Sequence, residues 1–344
     1  MQKINWGIIG LGNIAQSFSN GFFNVDNSKL LAVASRDSNK LERFKKKFDI
    51  QKNYVFNDYE EILNCSEVDI IYITLPNNFH YEWIIKAINK NKRILVEKPA
   101  VLNFSDAKKI QKKILEKNLF FTEGYMYRFY PQIQKIIEII NNQEIGTPFS
   151  METSFGSNLL TKKKFIFFNR SKKIDPNNRL FNKKLGGGCI LDLGCYTTSF
   201  SFLIASLVKN INYKNVELKN VKKKIGTTGV EIDAEGELIF EGGFISKIKA
   251  SFEKNIGNKT VINGDRGSLI IKDTWFGKGE IEKIIYGKKT KIRNDLNKNI
   301  YSYQIDAISK CLIENKNEIF FPGFKIEDTL QNTKILENWL NAKE

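Results

Sequence analysis

Apolar and polar positions alternate on two different periods in the two halves of the chain. In the first third, short apolar runs predict strands at residues 4–9, 30–34, 54–56, 69–74, 93–96 and 119–122. Between them, apolar residues recur three to four apart, the period of a helix with one buried face. Helices are expected over residues 14–22, 39–48, a short one ending near Ile62, 80–89 and 105–116. Leu41, Phe44 and Phe48 share a face of the second; Trp83, Ile84, Ala87 and Ile88 form a stripe on the fourth. Ser105 is the expected cap of the last, since its hydroxyl can accept a first-turn N–H. Strand–helix alternation of this kind implies a parallel, doubly wound sheet covered on both faces.

The pattern changes after Pro131. A helix at 132–140 precedes longer strand-like runs at 147–156, 216–221, 235–240, 244–252, 259–263 and 268–272. Glu241-Gly242-Gly243 and Asn263-Gly264-Asp265 supply turns between several of them, as antiparallel hairpins require. Helices are expected again at 303–314 and 326–341. The fold class is therefore α/β for residues 1–123, followed by an α+β domain over 124–344 with a large, mostly antiparallel open sheet. There is no internal repeat and no low-complexity linker.

Two domains suit a chain of 344 residues, and 42% apolar content is enough for sizeable cores. The formal net charge of +16 raises the possibility of a nucleic-acid or membrane partner. Lysine runs at 45–47, 162–164, 172–173, 183–184 and 222–224 are scattered, and aromatic residues do not interleave them as in an RNA-stacking platform. A generally basic surface is expected, with no nucleic acid and no membrane among the partners. Such a field favours anionic substrates and a phosphorylated cofactor. Cys65, Cys189, Cys195 and Cys311 form no CxxC pair, and His80 is the single histidine. No metal site is expected, and the four cysteines read as reduced thiols of a cytoplasmic protein. The apolar stretch at 200–208 is too short to span a bilayer and reads as a buried helix; no signal peptide is expected.

Gly10-Leu11-Gly12-Asn13-Ile14-Ala15 follows the first strand and opens the first helix. Gly10 permits the tight turn, Gly12 lets a pyrophosphate approach the backbone at Asn13 and Ile14, and Ala15 allows close helix packing. This is a dinucleotide-binding turn, so residues 1–123 are read as a Rossmann domain. The second strand ends in Ser35-Arg36-Asp37. A hydroxyl and a guanidinium suit the 2′-phosphate of NADP. NAD is the alternative, should Asp37 turn inward to the ribose or Arg36 only stack on adenine.

Four segments, the glycine turn among them, carry a family resemblance. Gly7 to Ala15, Leu75-Pro76-Asn77-Asn78-Phe79-His80, Glu97-Lys98-Pro99, and Gly186-Gly187-Gly188 leading to Asp192-Leu193-Gly194-Cys195-Tyr196 resemble the glucose-fructose oxidoreductase and inositol dehydrogenase (Gfo/Idh/MocA) family. The terminal Tyr196 is similar to the branch of dihydrodiol and xylose dehydrogenases, where inositol dehydrogenases carry histidine. The resemblance implies a sugar or cyclic-diol oxidoreductase with NADP or NAD. It puts Thr74, Leu75, Pro76, Asn77 and His80 beside the cofactor, Glu97 at the nicotinamide ribose, and a cis bond at Pro99. Met126-Tyr127-Arg128-Phe129-Tyr130-Pro131 resembles the family's domain junction, giving Tyr127 and Arg128 as substrate-side residues. Arg128 could equally be a structural ion-pair partner there.

Hydride transfer needs a group to take or give the hydroxyl proton. Lys98 follows the fifth strand at the sheet's carboxyl edge, where ligands bind in such folds, and its amine can stabilise alkoxide charge. Tyr196 is the expected general acid/base, its pKa lowered by a cation such as Lys98; which of the two moves the proton stays open. Asp192, four residues earlier on the same helical face, is expected to orient substrate hydroxyls. Gly186, Gly187 and Gly188 are read as letting backbone pass close to the cofactor, and Arg179 as a clamp for an acidic or polyhydroxyl substrate.

The expected activity is oxidation or reduction of a sugar or cyclic diol. A nucleotide-sugar ketoreductase is the enzyme alternative, with the basic run from Lys162 to Lys184 facing a diphosphate. Cleavage of glycosides by transient oxidation is disfavoured by the lack of histidine in the second half. A cofactor-sensing regulator is disfavoured by the presence of both Lys98 and Tyr196. A homodimer or higher homo-oligomer is expected, covering the open sheet.

Overall fold

A parallel strand buried on both faces must be apolar almost throughout, and the first part of the chain supplies such strands at the centre of a six-stranded sheet. β1 (Ile4–Ile9), β2 (Ser28–Ala34), β3 (Val55–Phe56), β4 (Ile70–Ile73), β5 (Arg93–Val96) and β6 (Phe121–Glu123) pair in the order β3-β2-β1-β4-β5-β6. Every ladder is parallel, and Ile70, Ile71, Tyr72 and Ile73 are fully buried at its centre. The structure is a computed structural model that describes residues 3–165, 168–171 and 173–343, the side chains of residues 162–172 lying outside the description. The run from Lys162 to Lys184 therefore falls partly outside the described residues.

α1 (Asn13–Ser19), α2 (Ser38–Phe48), α3 (Tyr59–Asn64), α4 (Asn77–Asn89) and α5 (Phe104–Lys117) connect the strands. α1 is shorter than its apolar period suggests and passes into a 3₁₀ turn over Asn20–Asn24. α4 starts three residues before His80, because Pro76 serves as its N-cap. α5 corrects an expectation. Its cap is Asn103, in extended conformation, whose side chain accepts from the Asp106 N–H at 2.9 Å. Ser105 lies inside the helix.

The second unit starts with α6 (Pro131–Asn141) and β7 (Pro148–Gly156). A two-stranded ribbon, β8 (Thr161–Phe165) and β9 (Phe168–Ser171), leads to α7 (Cys195–Leu207). Then come β10 (Asn212–Ile225), β11 (Glu231–Glu241), β12 (Ile245–Ser251), β13 (Thr260–Gly264), β14 (Gly267–Ile271), β15 (Ile281–Ile285) and β16 (Lys288–Ile292). The eight-stranded sheet runs β10-β11-β12-β7-β13-β14-β15-β16. It is antiparallel except where β12 meets β7. That parallel pair needs a crossover, which α7 and the β10–β11 hairpin provide.

One face of the sheet packs on α7, whose residues from Cys195 to Ala205 are all buried. Ser201 Oγ and Ser246 Oγ lie 2.7 Å apart across that contact. The other face carries cross-strand ion pairs: Lys222–Glu235 at 3.1 Å, Lys247–Glu237 at 3.6 Å and Lys249–Glu152 at 2.7 Å. Lys183–Leu207 is apolar and long enough by composition to cross a membrane, but 83% of its most apolar window is buried, as in a core helix.

α8 (Ile300–Ile313) and α9 (Ile326–Asn341) complete the chain. Two compact units result: Met1–Tyr130 with Leu296–Leu330, and Pro131–Asp295 with Gln331–Glu344. α8 belongs to the first. Trp6 Nε1 donates to Ser309 Oγ at 3.0 Å, Ser28 Oγ to the same oxygen at 2.7 Å, and Ser302 Oγ to the Gly21 carbonyl at 2.8 Å.

Candidate functional site

In the first unit, strand order reverses between β1 and β4: β2 and β3 lie to one side, β5 and β6 to the other. Ligands of open α/β sheets bind outside the strands' carboxyl ends at such a point. Gly10 follows β1 with φ of 87°; a Cβ there would meet Leu75 Cδ2 at 2.8 Å. Gly12 differs, for a Cβ built on it meets nothing within 4 Å. Gly12 is also the N-cap of α1 and brings no capping side chain to the N–H groups of Asn13 and Ile14. Open space against uncapped donors fits a pyrophosphate. Beside it, a cleft of about 560 Å³ runs along α2, lined by Gly12, Asn13, Lys40 and Arg43 among others.

Past β2, the Ser35 hydroxyl accepts from the Asp37 N–H at 3.1 Å. Asp37 caps α2, accepting from the Lys40 N–H at 3.1 Å, and its carboxylate lies 3.8 Å from the Lys40 amine. That carboxylate is committed to its own helix. The Arg36 guanidinium lies 5.2 Å from the centre of the Tyr59 ring, a cation–π contact that holds a positive group at the end of β2.

The loops after β4 and β5 stand side by side. The Thr74 hydroxyl donates to the Ile9 carbonyl at 3.1 Å and to that of Gly10. Leu75 packs under Gly10, and Pro76 and Asn77 open α4. His80 is fully buried, its Nε2 2.7 Å from the Leu75 carbonyl and its Nδ1 2.9 Å from the Pro99 carbonyl. The Lys98–Pro99 bond is cis. Glu97 accepts from the Tyr72 hydroxyl; a Cβ on Gly124 would come within 3.0 Å of its Oε1. Glu123 ends β6, 2% exposed, accepting from the Ala100 N–H at 2.9 Å and the Thr329 hydroxyl at 2.8 Å. Burial pushes its carboxyl up to about 7, against the pull of the Thr329 and Ala100 hydrogen bonds.

Tyr127 and Arg128 sit on a buried 3₁₀ turn. Tyr127 meets Tyr125 edge-on at 6.1 Å. Arg128 donates to the Pro322 carbonyl at 3.1 Å, lies 4.0 Å from Asp328 Oδ2 and stacks 4.7 Å over Phe324. These contacts tie it to the returning segment of its own unit.

In the second unit, Arg179 Nη1 and Asp192 Oδ1 are 3.2 Å apart. Asp192 lies on a π-helical turn, Ile190–Gly194, that runs into α7 and Tyr196. The glycine run has a local cause: Cβ atoms on Gly187 and Gly188 would stand 2.6 Å from the Arg179 carbonyl and 2.6 Å from Glu231 Oε2. Tyr196 is 7% exposed, its ring against Phe155 at 5.3 Å and Trp275 at 5.6 Å.

Residues 4–125 match the model of an oxidoreductase family with an NAD-binding Rossmann fold, and residues 133–270 match the GFO/IDH/MocA C-terminal domain. The chain belongs to the Gfo/Idh/MocA oxidoreductase family. The trans-1,2-dihydrobenzene-1,2-diol dehydrogenase of Xenopus tropicalis is 24% identical over 343 residues, spanning 97% of this chain and 96% of that protein. Among solved structures, the aldose-aldose oxidoreductase from Caulobacter crescentus aligns with a TM-score of 0.84 at 20% identity, over 98% of this chain and 96% of that one. A 3-ketoreductase from Actinomadura kijaniata, solved with NADP and TDP-benzene, gives 0.79 at 19%, over 98% and 97%.

Within this Gfo/Idh/MocA oxidoreductase, the first unit gathers Gly10, Gly12, Asn13, Ile14, Ser35, Arg36, the Thr74–Asn77 loop, His80, Glu97 and Lys98 along one edge of a parallel sheet. Asp192, Tyr196 and Arg179 belong to the second unit. Sequence reasoning missed Glu123, Tyr72 and the buried Asn78 Oδ1, which has no hydrogen-bond partner among the described residues. Only an acid at the end of a strand, next to a glycine, hinted at the first.

Proposed function

We propose that this oxidoreductase uses NADP(H) to interconvert a hydroxyl and a ketone on a sugar or cyclic diol. The observation that chiefly supports this is the Glu97-Lys98-Pro99 turn, which leaves the sheet on the same edge as the Gly10 turn and two strands away. Two strand spacings amount to about 10 Å, a distance a bound dinucleotide readily covers. The cofactor accepts or supplies the hydride when bound. The chain supplies binding and proton handling. Gly12 and the start of α1 hold the pyrophosphate; Ser35 and Arg36 hold the 2′-phosphate, a role favoured by Asp37 being spent on α2. Lys98 hydrogen-bonds the reacting oxygen. Lys98 and Tyr196 handle its proton, and Asp192, paired with Arg179, orients hydroxyl groups.

The test is a panel of aldoses, cyclic diols and sugar nucleotides followed by the absorbance of reduced nicotinamide with both cofactors. NADPH should bind at least about tenfold more tightly than NADH, as one charge-assisted contact provides. Lys98→Ala and Tyr196→Phe should lower kcat by about 10²–10⁴-fold with NADPH binding retained. Binding without turnover across the whole panel would remove the enzymatic reading. Turnover of a sugar nucleotide alone would move the substrate class to nucleotide-sugar ketoreduction.

A cytoplasmic setting accompanies the proposal, in keeping with four free cysteines. So does a homodimer formed through the ion-paired face of the eight-stranded sheet. Such a contact would be polar and should weaken in high salt; sedimentation at low and high ionic strength checks this, and a monomer in both removes it.

A further inference from the structure

His80 is the single histidine of the chain and stands in the first turn of α4, fully buried. Each of its ring nitrogens meets a backbone carbonyl oxygen, Pro99 at 2.9 Å and Leu75 at 2.7 Å. A carbonyl oxygen only accepts. A neutral imidazole has one N–H and donates once; the doubly protonated ring donates from both nitrogens. Two acceptors at these distances suit the doubly protonated ring, which alone can donate to both.

The two carbonyls belong to the two loops that matter most at this edge of the sheet. Leu75 lies in the loop under the Gly10 turn, and Pro99 follows Lys98. The same Pro99–Ala100 peptide is held at its other end, where the Ala100 N–H donates to Glu123. One peptide group is thus gripped at its oxygen by an imidazole and at its nitrogen by a carboxyl. The charged and titratable groups around this turn include Glu97, Lys98 and Glu123, with the Tyr125 hydroxyl bonded to Glu123, the Tyr72 hydroxyl bonded to Glu97 and Tyr301 near Glu97. Glu97, joined by Glu123 above about pH 7, can balance the Lys98 amine and a ring cation.

We propose that His80 is a positioning residue for Lys98: as an imidazolium it ties the Leu75 carbonyl to the Pro99 carbonyl and fixes the lysine turn against the dinucleotide loop. The inference rests on the reading of Lys98 as a proton-handling group.

A chain with one histidine gives one imidazole spectrum. In the full-length protein labelled with ¹⁵N-histidine, both ring nitrogens should show the protonated, N–H-bearing signature at pH 8, above the ordinary histidine pKa of about 6.5. One bare and one protonated nitrogen at that pH would overturn the proposal. His80→Gln, which keeps a single amide donor group, should lower kcat by about 10- to 100-fold through a misplaced turn, a larger effect than on NADPH Kd. An unchanged kcat would equally overturn it. Should His80→Gln fail to fold, the wild-type spectrum still decides. If Lys98→Ala retains full turnover while the ring proves doubly protonated, the reading of Lys98 has failed and the clasp has not.

Discussion

Glu123 is the side chain through which pH should act most directly on the fold. Its carboxyl titrates near 7 in the native chain, against an ordinary value of 4.5. The native state therefore holds the proton more tightly than the unfolded one. The associated stability is complete below about pH 4.5, declines as pH rises toward 7, and is gone above it; the full span is about 3 kcal/mol. Glu123→Gln stays neutral throughout, so its melting temperature should gain on that of the wild type between pH 5 and 8. Parallel curves would show that the carboxyl is not buried as described. Arg36→Ala should weaken NADPH binding and leave NADH binding nearly unchanged, as fluorescence titration can show. Lys98 and Tyr196 were visible as candidates because each sits in a short motif. The Glu123 clasp was not, since its partners lie 23 and 206 residues away along the chain.

Elements were legible where burial imposes a period. Each strand of the parallel sheet shows as an apolar run, and α9 was placed at its observed limits because it is amphipathic over its whole length. β16 was missed for the opposite reason: Lys288, Lys289, Thr290 and Lys291 are all exposed at the sheet edge, so nothing alternates. The Tyr286-Gly287 turn before it, with φ of 45° and 80°, was the available signal. The cap of α5 separates two side chains that a propensity rule treats alike. Asn103→Ala should cost about 1 kcal/mol in urea unfolding, and Ser105→Ala less than about 0.5 kcal/mol. Equal costs would argue against the Asn103 cap.

At the scale of the whole molecule, the net charge of +16 is an excess of cations over acids, and among the described residues many of the remaining lysines are paired. Lys222, Lys247 and Lys249 each face a glutamate on the outer side of the large sheet. Composition could not show this, because it counts charges without their neighbours. A cut at residue 123, where the parallel sheet ends, also leaves out what completes that half. Residues 296–330 pack with the first unit, and no local pattern announces such a return.

That return has a consequence for synthesis. The ribosome releases β1 with Trp6 long before it makes Ser309, the hydroxyl that Trp6 and Ser28 share. Thr329, which holds Glu123, emerges later still. The half of the protein that is translated first is thus the half that must wait, its apolar side uncovered until residues 296–330 have been made.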